Sequence, residues 1–159
     1  QPYRRTLMQL RTDPDAPAGM AHVAHIGHDF YFKPEAGGKL WLSPTDETPV
    51  DPHDVQPEEL DVAIAIDRFE QVVDWRVTAL ERKWAGLRSF APDRLPVYGF
   101  DACVPGFFWC AGQGGFGIQT APAAAKVGAA LLLGRSVDSS IAAIDLDRYS
   151  PSRFTASLV

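Results

Sequence analysis

The chain is short of positive charge. Its 159 residues carry 15 Lys and Arg against 20 Asp and Glu, a net charge of −5 at pH 7. Acids and bases are interspersed, and Arg4 with Arg5 makes too small a cluster for the basic stripe that a nucleic-acid groove needs. Cysteine is scarce too. Cys103 and Cys110 are the only two, and they lack metal-type spacing. They are expected as reduced thiols in the core or at its edge. No apolar run approaches the roughly 20 residues that cross a bilayer, because Lys126 interrupts the longest one. No secretory leader pattern is visible, so a cytoplasmic location is the expectation. Ser43, Ser89 and Ser136 have no glycine elbow around them, which sets a Ser-His-Asp hydrolase aside. Internal repeats and low-complexity tracts are missing. So is an initiator Met: Gln1-Pro2-Tyr3-Arg4-Arg5 enters almost directly into a strand, as a piece of a longer protein would.

What is present is an ordinary globular balance, 46% apolar and 22% charged, in a length sufficient for a real core. Residues 3–11 read as a strand. Two prolines and two aspartates between Thr12 and Gly19 make a loop. Residues 21–28 read as a second strand. Residues 29–33 and 39–43 form a hairpin around Glu35-Ala36-Gly37-Gly38. A proline- and acid-rich connection, 44–57, leads to a helix over 57–75. Pro57 suits its first position, and Glu58 and Glu59 suit its positive dipole end. Leu60, Ile64, Val72 and Trp75 mark much of its apolar face, with Phe69 and Val73 beside it. Strands follow at 79–89, 97–100 and 107–111, then a helix over 118–133 with Gly134 as its stop. Residues 141–154 read as irregular. Most strands come first, joined by hairpins, and one strand–loop–helix comes late. This is an α+β pattern.

The late strand–loop–helix carries the one conspicuous motif. Gly112, Gly114 and Gly117 fit G-x-G-x-x-G, with a helix N-terminus behind them to receive an anion. A Rossmann fold opens with that motif and alternates strand and helix after it. Here it stands far along the chain. Asp138 falls roughly 20 residues beyond, where a ribose-binding acid would be sought, but no second strand leads to it. The architecture excludes a Rossmann opening.

Other residues are weighed by their surroundings. His22, His25 and His28 are spaced by three, and neither a strand nor a helix turns three such imidazoles onto one ion. His53, between Asp51 and Asp54, is expected in solvent. Arg88 lies between the core-type residues Leu87 and Phe90. If partly buried, its guanidinium needs a carboxylate, either from an internal salt bridge or from a ligand. Arg5 and Tyr31 lie on strands where they could join an anion site.

These segments, taken in order, resemble a known family. Trp84-Ala-Gly-Leu-Arg-Ser-Phe90 is followed by Pro92-Asp93, Pro96-Val97 and Gly99. Then come Pro105-Gly-Phe-Phe-Trp109 and Gly112-Gln-Gly-Gly-Phe-Gly-Ile-Gln-Thr-Ala-Pro122. This order resembles the C-terminal half of FAD-dependent amine and amino-acid oxidoreductases of the D-amino-acid oxidase, glycine oxidase and sarcosine oxidase superfamily. Asp29-Phe-Tyr-Phe-Lys-Pro-Glu35, Ser43-Pro44 and His53-Asp-Val-Gln-Pro-Glu-Glu-Leu-Asp61 look closer still to bacterial D-arginine dehydrogenase. The resemblance covers nearly all of residues 3–154.

The resemblance implies two interleaved domains and FAD as cofactor. Residues 1–86 would belong to a substrate-binding domain with a mixed, largely antiparallel sheet and a helix. Residues 87–159 would be the C-terminal part of a Rossmann-like FAD domain. The adenine-binding fingerprint would lie in a missing N-terminal half, the expected partner. Gly114, Gly115, Phe116, Gly117, Ile118 and Gln119 would face the flavin ring. Arg88 would hold a substrate carboxylate, joined by Tyr31 and Arg5, and the Gly115 carbonyl would accept from the substrate amine. No certain acid–base residue is implied in this half. The reaction would be hydride transfer from Cα to flavin N5, giving an imino acid that hydrolyses to a 2-oxo acid and ammonia. The loop departs from close relatives at Gly112, where they can carry Ala, and at Phe116, where they can carry Tyr. An acid recognising a basic side chain would lie in the missing half, so a preference for D-arginine is not carried over. Glycine- or sarcosine-type oxidation, and a non-catalytic half-subunit that pairs with a flavin-binding partner, are the alternatives.

Overall fold

A computed structural model describes residues 1–157. Among these are eight strands and two α-helices: β1 Pro2–Asp13, β2 Val23–Ala24, β3 Tyr31–Glu35, β4 Lys39–Ser43, β5 Thr48–Pro49, α1 Glu59–Val72, β6 Arg76–Ser89, β7 Val97–Phe100, β8 Phe108–Ala111 and α2 Gly117–Leu133. Short 3₁₀ turns over Ser139–Ile141, Leu146–Tyr149 and Pro151–Ser157 follow. The α+β class expected from the order of elements is what the chain forms. It divides into two compact units, Pro2–Leu87 and Arg88–Val159 with Gln1.

The first unit is built on β1. It pairs antiparallel with β4, Met8 opposite Leu42 and Leu10 opposite Leu40, and β3 pairs antiparallel with β4 in turn. The sheet order is β2-β3-β4-β1-β5, with β6 also on β1. Alternation along β1 sends Met8 and Leu10 into the core and leaves Leu7 and Gln9 on the other face. Phe32, Leu40 and Leu42 meet them there. The turn between β3 and β4 needs two left-handed residues, and Gly37 and Gly38 supply them at φ 75° and 71°.

Helix α1 covers the core face of this sheet. Glu59 and Asp61 sit in its first turn, where negative charge suits the dipole. Val62, Ala65 and Phe69, at spacings of three and four, are its buried residues. Phe69 meets Phe32 edge-on at 5.0 Å; full burial of such a ring contributes about 2–3 kcal/mol. The expected face differs from this one. Leu60 is 69% exposed and Val72 55%: at about 3.6 residues per turn, Leu60 lies nearly opposite the stripe of Val62, Ala65 and Phe69, and Val72 lies at the edge of that stripe in the last turn. Trp75 and Val73 do pack against the core, from the segment after the helix. The second strand is also shorter than expected, only Val23–Ala24.

The second unit is organised by β7, β8 and α2. Strands β7 and β8 form an antiparallel hairpin, Val97 opposite Ala111 and Phe100 opposite Phe108. Tyr98, Val127 and Ile141 are its buried centre, with Leu131, Ile144 and Tyr149 packed around them. Gly134 ends α2 at φ 61°, where its own N–H and that of Arg135 close the last turn onto Leu131 and Ala130. Cys103 and Cys110 are both exposed, against the expected burial. Cys103 stands in the loop joining β7 to β8. Cys110 is on a two-stranded ribbon, and one face of such a ribbon stays open. No helix is long and apolar enough to cross a membrane among the described residues.

Candidate functional site

The late glycine loop and the end of β6 meet in the second unit. Arg88 and Phe90 are two residues apart on extended chain, so they project to the same side. Between them, the Ser89 carbonyl accepts a hydrogen bond from the Gly114 N–H at 3.0 Å. The two consecutive glycines then each receive one side chain. A Cβ on Gly115 would stand 2.6 Å from Arg88 Nη1 and 3.1 Å from its Cζ. A Cβ on Gly114 would overlap the Phe90 ring, with Cδ1 at 2.6 Å and Cζ at 2.7 Å, and Gly114 has φ 53°. Only glycine allows the guanidinium and the ring to lie this close to the loop backbone.

Arg88 is half-buried. Among the described residues, none gives its guanidinium a carboxylate or a hydrogen-bond acceptor. Of the two sources of charge compensation open in the sequence, an internal salt bridge is therefore not formed there. A partly dehydrated guanidinium without a partner is costly, and it presents a planar fork suited to a carboxylate.

Immediately after Gly115 the chain enters α2. Phe116 is the N-cap residue, and no side chain caps the helix. Ile118, in the first turn, is 96% exposed. The N–H groups of Gly117, Ile118 and Gln119 have no acceptor among the described residues, as the first turn of an uncapped helix must leave them. A 17-residue helix adds the positive end of its dipole at this point. The arrangement can take a carboxylate at Arg88 and an electron-rich heteroatom edge at the helix end.

Tyr31 and Arg5 belong to the first unit. Both alternate away from the core, onto the other face of the sheet from Phe32 and Arg4. The Tyr31 ring stacks on His22 at 5.1 Å, and its hydroxyl has no hydrogen-bond partner among the described residues. Arg5 is buried, with Nε donating to the Asp46 carbonyl at 2.9 Å and Nη2 to Glu47 at 2.8 Å. Its neighbour Arg4 is fully engaged: Nε donates to Asp46, Nη1 to Glu58 and Nη2 to Asp61, at 3.2, 2.9 and 2.6 Å. Burial works against the Arg4 charge, but the bonds to Asp46 and Asp61 more than offset it and raise its pKa. The histidines go separate ways. His25 faces Asp29 at 2.9 Å, and His53 Nδ1 donates to the Asp51 carbonyl in solvent at 2.7 Å. No His, Cys, Asp or Glu group suited to a metal ion occurs among the described residues.

The sequence reading missed Phe90 and Ser89 as parts of this loop. The signal lay in the two-residue spacing of Arg88 and Phe90, but their meeting with Gly114 and Gly115 joins segments far apart in the chain.

A model of the DAO family, described as FAD dependent oxidoreductase, matches residues 1–131. The chain belongs to that family. Among solved structures, iminodiacetate oxidase from Chelativorans sp. BNC1 superposes with a TM-score of 0.75 at 16% identity, over 94% of this chain and 39% of its own. Glycine oxidase from Geobacillus kaustophilus gives 0.70 at 21%, over 96% and 39%. L-proline dehydrogenase from P. horikoshii gives 0.71 at 19%, over 98% and 40%. At these identities the likeness is one of fold, and the chain spans well under half the length of each. FAD is the cofactor of the family. The residues at the start of α2 fit it: a flavin offers acceptor atoms at N1 and the C2 carbonyl, and the uncapped Gly117, Ile118 and Gln119 N–H groups are donors without acceptors of their own among the described residues.

Proposed function

We propose that this chain is the substrate-anchoring portion of an FAD-dependent oxidoreductase that oxidises a D-amino acid, with Arg88 as the ligand of the substrate carboxylate. The observation that supports this most is the half-buried guanidinium of Arg88, without an acceptor among the described residues and seated on Gly115. In this reading residues 1–86 are part of the substrate domain and residues 87–159 part of the flavin domain, completed by a further FAD-binding portion. Iminodiacetate, glycine and L-proline, in the names of the similar structures, each join a carboxylate to a nearby amine nitrogen. That supports the substrate class. The D configuration rests on the motifs that resemble D-arginine dehydrogenase.

The protein's part in the reaction is positioning. Arg88 holds the carboxylate and fixes two of the substrate's atoms, which sets the direction of Cα–H. The Gly115 carbonyl accepts from the amine. The first turn of α2 supplies positive potential and N–H donors toward negative charge on the ring. FAD, when bound, would supply the redox chemistry of the oxidation at Cα, and the imino acid formed would hydrolyse to a 2-oxo acid and ammonia.

Anaerobic titration of the full-length holoprotein with paired D- and L-amino acids tests this, with loss of flavin absorbance as the signal. Bleaching by D-amino acids is expected. Bleaching by L-amino acids alone would overturn the handedness, and none with any amino acid would overturn the function.

A further inference from the structure

We propose that Phe90 is a positioning residue for the carboxylate site: its ring sets the height of the Gly114–Gly115 backbone above the Arg88 guanidinium. The inference rests on the reading of Arg88 as carboxylate ligand. Phe90 itself is buried, so it acts through its neighbours.

Its own position is over-determined. Its backbone exchanges two hydrogen bonds with Gln1, the Phe90 N–H reaching the Gln1 carbonyl at 3.0 Å and the Gln1 nitrogen the Phe90 carbonyl at 2.8 Å. The Arg94 guanidinium lies over its ring, 4.1 Å from the centroid, a cation–π contact that holds the ring's tilt. A ring fixed in this way is a hard stop for the loop. Gly114 rests on it so closely that even a methyl group would overlap three ring carbons.

On its other side, the same loop is tied by the bond from the Gly114 N–H to the Ser89 carbonyl. That bond pulls the loop toward β6, and the Phe90 ring limits how near it comes. Gly115, the next residue, therefore stops where it faces Arg88 Nη1. The separation of the guanidinium from the Gly115 carbonyl is thus a property of Phe90. That separation must match the distance from the carboxylate to the amine in the substrate. A smaller side chain at position 90 would let the loop sink and close the gap. Such a displacement weakens binding of a molecule that bridges both groups more than binding to either alone.

The test is binding of benzoate, a carboxylate without an amine, and of glycine, which has both, to the full-length holoprotein. Flavin absorbance changes report each Kd. Phe90→Leu should weaken glycine about tenfold, within the roughly 100-fold that a misplacement near 1 Å can cost, and should change benzoate less than threefold. In an Arg88→Lys background the same substitution should change glycine less than threefold, since the gap no longer matters once the fork is lost. Equal weakening of both ligands, or an undiminished tenfold effect in the Arg88→Lys background, would overturn the proposal and leave Phe90 as core packing. If Phe90→Leu does not fold, Phe90→Met, close in volume and able to flatten, takes its place with the same expected pattern. Should Arg88→Lys itself leave benzoate and glycine binding unchanged, the carboxylate role of Arg88 fails, and the positioning role fails with it. Loss of binding in Arg88→Lys with wild-type binding in both Phe90 variants removes the positioning role alone.

Discussion

Arg4 and Arg88 are the same residue type, each on a long strand, yet their surroundings are opposite. Arg4 has three carboxylates around it; among the described residues Arg88 has none. A buried guanidinium that is fully paired has committed its hydrogen-bonding capacity to the fold. One that is half-buried and unpaired keeps that capacity for something else. Burial and charge alone therefore do not mark a ligand-binding arginine. The accounting of its partners does.

The contrast is open to experiment. The largest effect is expected at Arg4. Arg4→Met leaves Asp46, itself nearly buried, without its cation, and breaking a buried pair in this way costs about 3–5 kcal/mol. Urea denaturation of the full protein should show it, with ligand affinity of the folded fraction retained. Arg88→Met should do the reverse. Its folding stability should fall within about 0.5 kcal/mol of the original, as for a side chain outside any network. Its KM for the amino acid should rise about 10- to 100-fold, the loss of charge-assisted hydrogen bonds worth about 1.5–3 kcal/mol. Equal stability losses in the two variants would erase the distinction.

Gly115→Ala should come next. The new Cβ meets Arg88 Nη1 at 2.6 Å, but that atom ends a flexible side chain and can move. A cost near ~1 kcal/mol in substrate binding is expected, the low end for overpacking, seen as a several-fold rise in KM. The smallest effect belongs to an exposed pairing of the second unit. The Ser140 hydroxyl and N–H, with Lys126, hold the Asp138 carboxyl down at about 2. A carboxyl lowered by folding contributes stability that is complete above its ordinary value of 3.8 and is lost as pH falls through about 2. Asp138→Asn should flatten that part of the acid unfolding profile slightly and lower stability by a small, pH-independent amount across the neutral range.

Much of this was legible in the sequence because the determinants are local. The Gly37–Gly38 turn, the acidic start of α1, the loop-to-helix step at Gly117 and the stop at Gly134 are all written within a few residues of where they act. The family resemblance was legible for the same reason, in short motifs kept in order. What was not legible depends on distance. The partners of Arg4 lie 42 to 57 residues away, and nothing around Arg4 or Arg5 announces them. The helix face that carries Leu60 and Ile64 looks as apolar in the sequence as the one that carries Val62, Ala65 and Phe69, and only packing on the sheet decides between them. The pinning of Gly114 by Phe90 joins two loops whose composition says nothing of each other.

Asp46 carries one further consequence. Its carboxylate takes Arg4 Nε, the Thr6 N–H and the Thr6 hydroxyl, and its carbonyl takes Arg5 Nε. Three successive residues of β1 are thus indexed by one loop residue, which works as a pawl engages a ratchet. A slip of β1 by one position would present Leu7 where the carboxylate expects Thr6, and the strand has no second tooth of the same shape. The loop between β4 and β5 therefore decides which way every side chain of β1 points, a task that hairpin turns perform elsewhere in sheets.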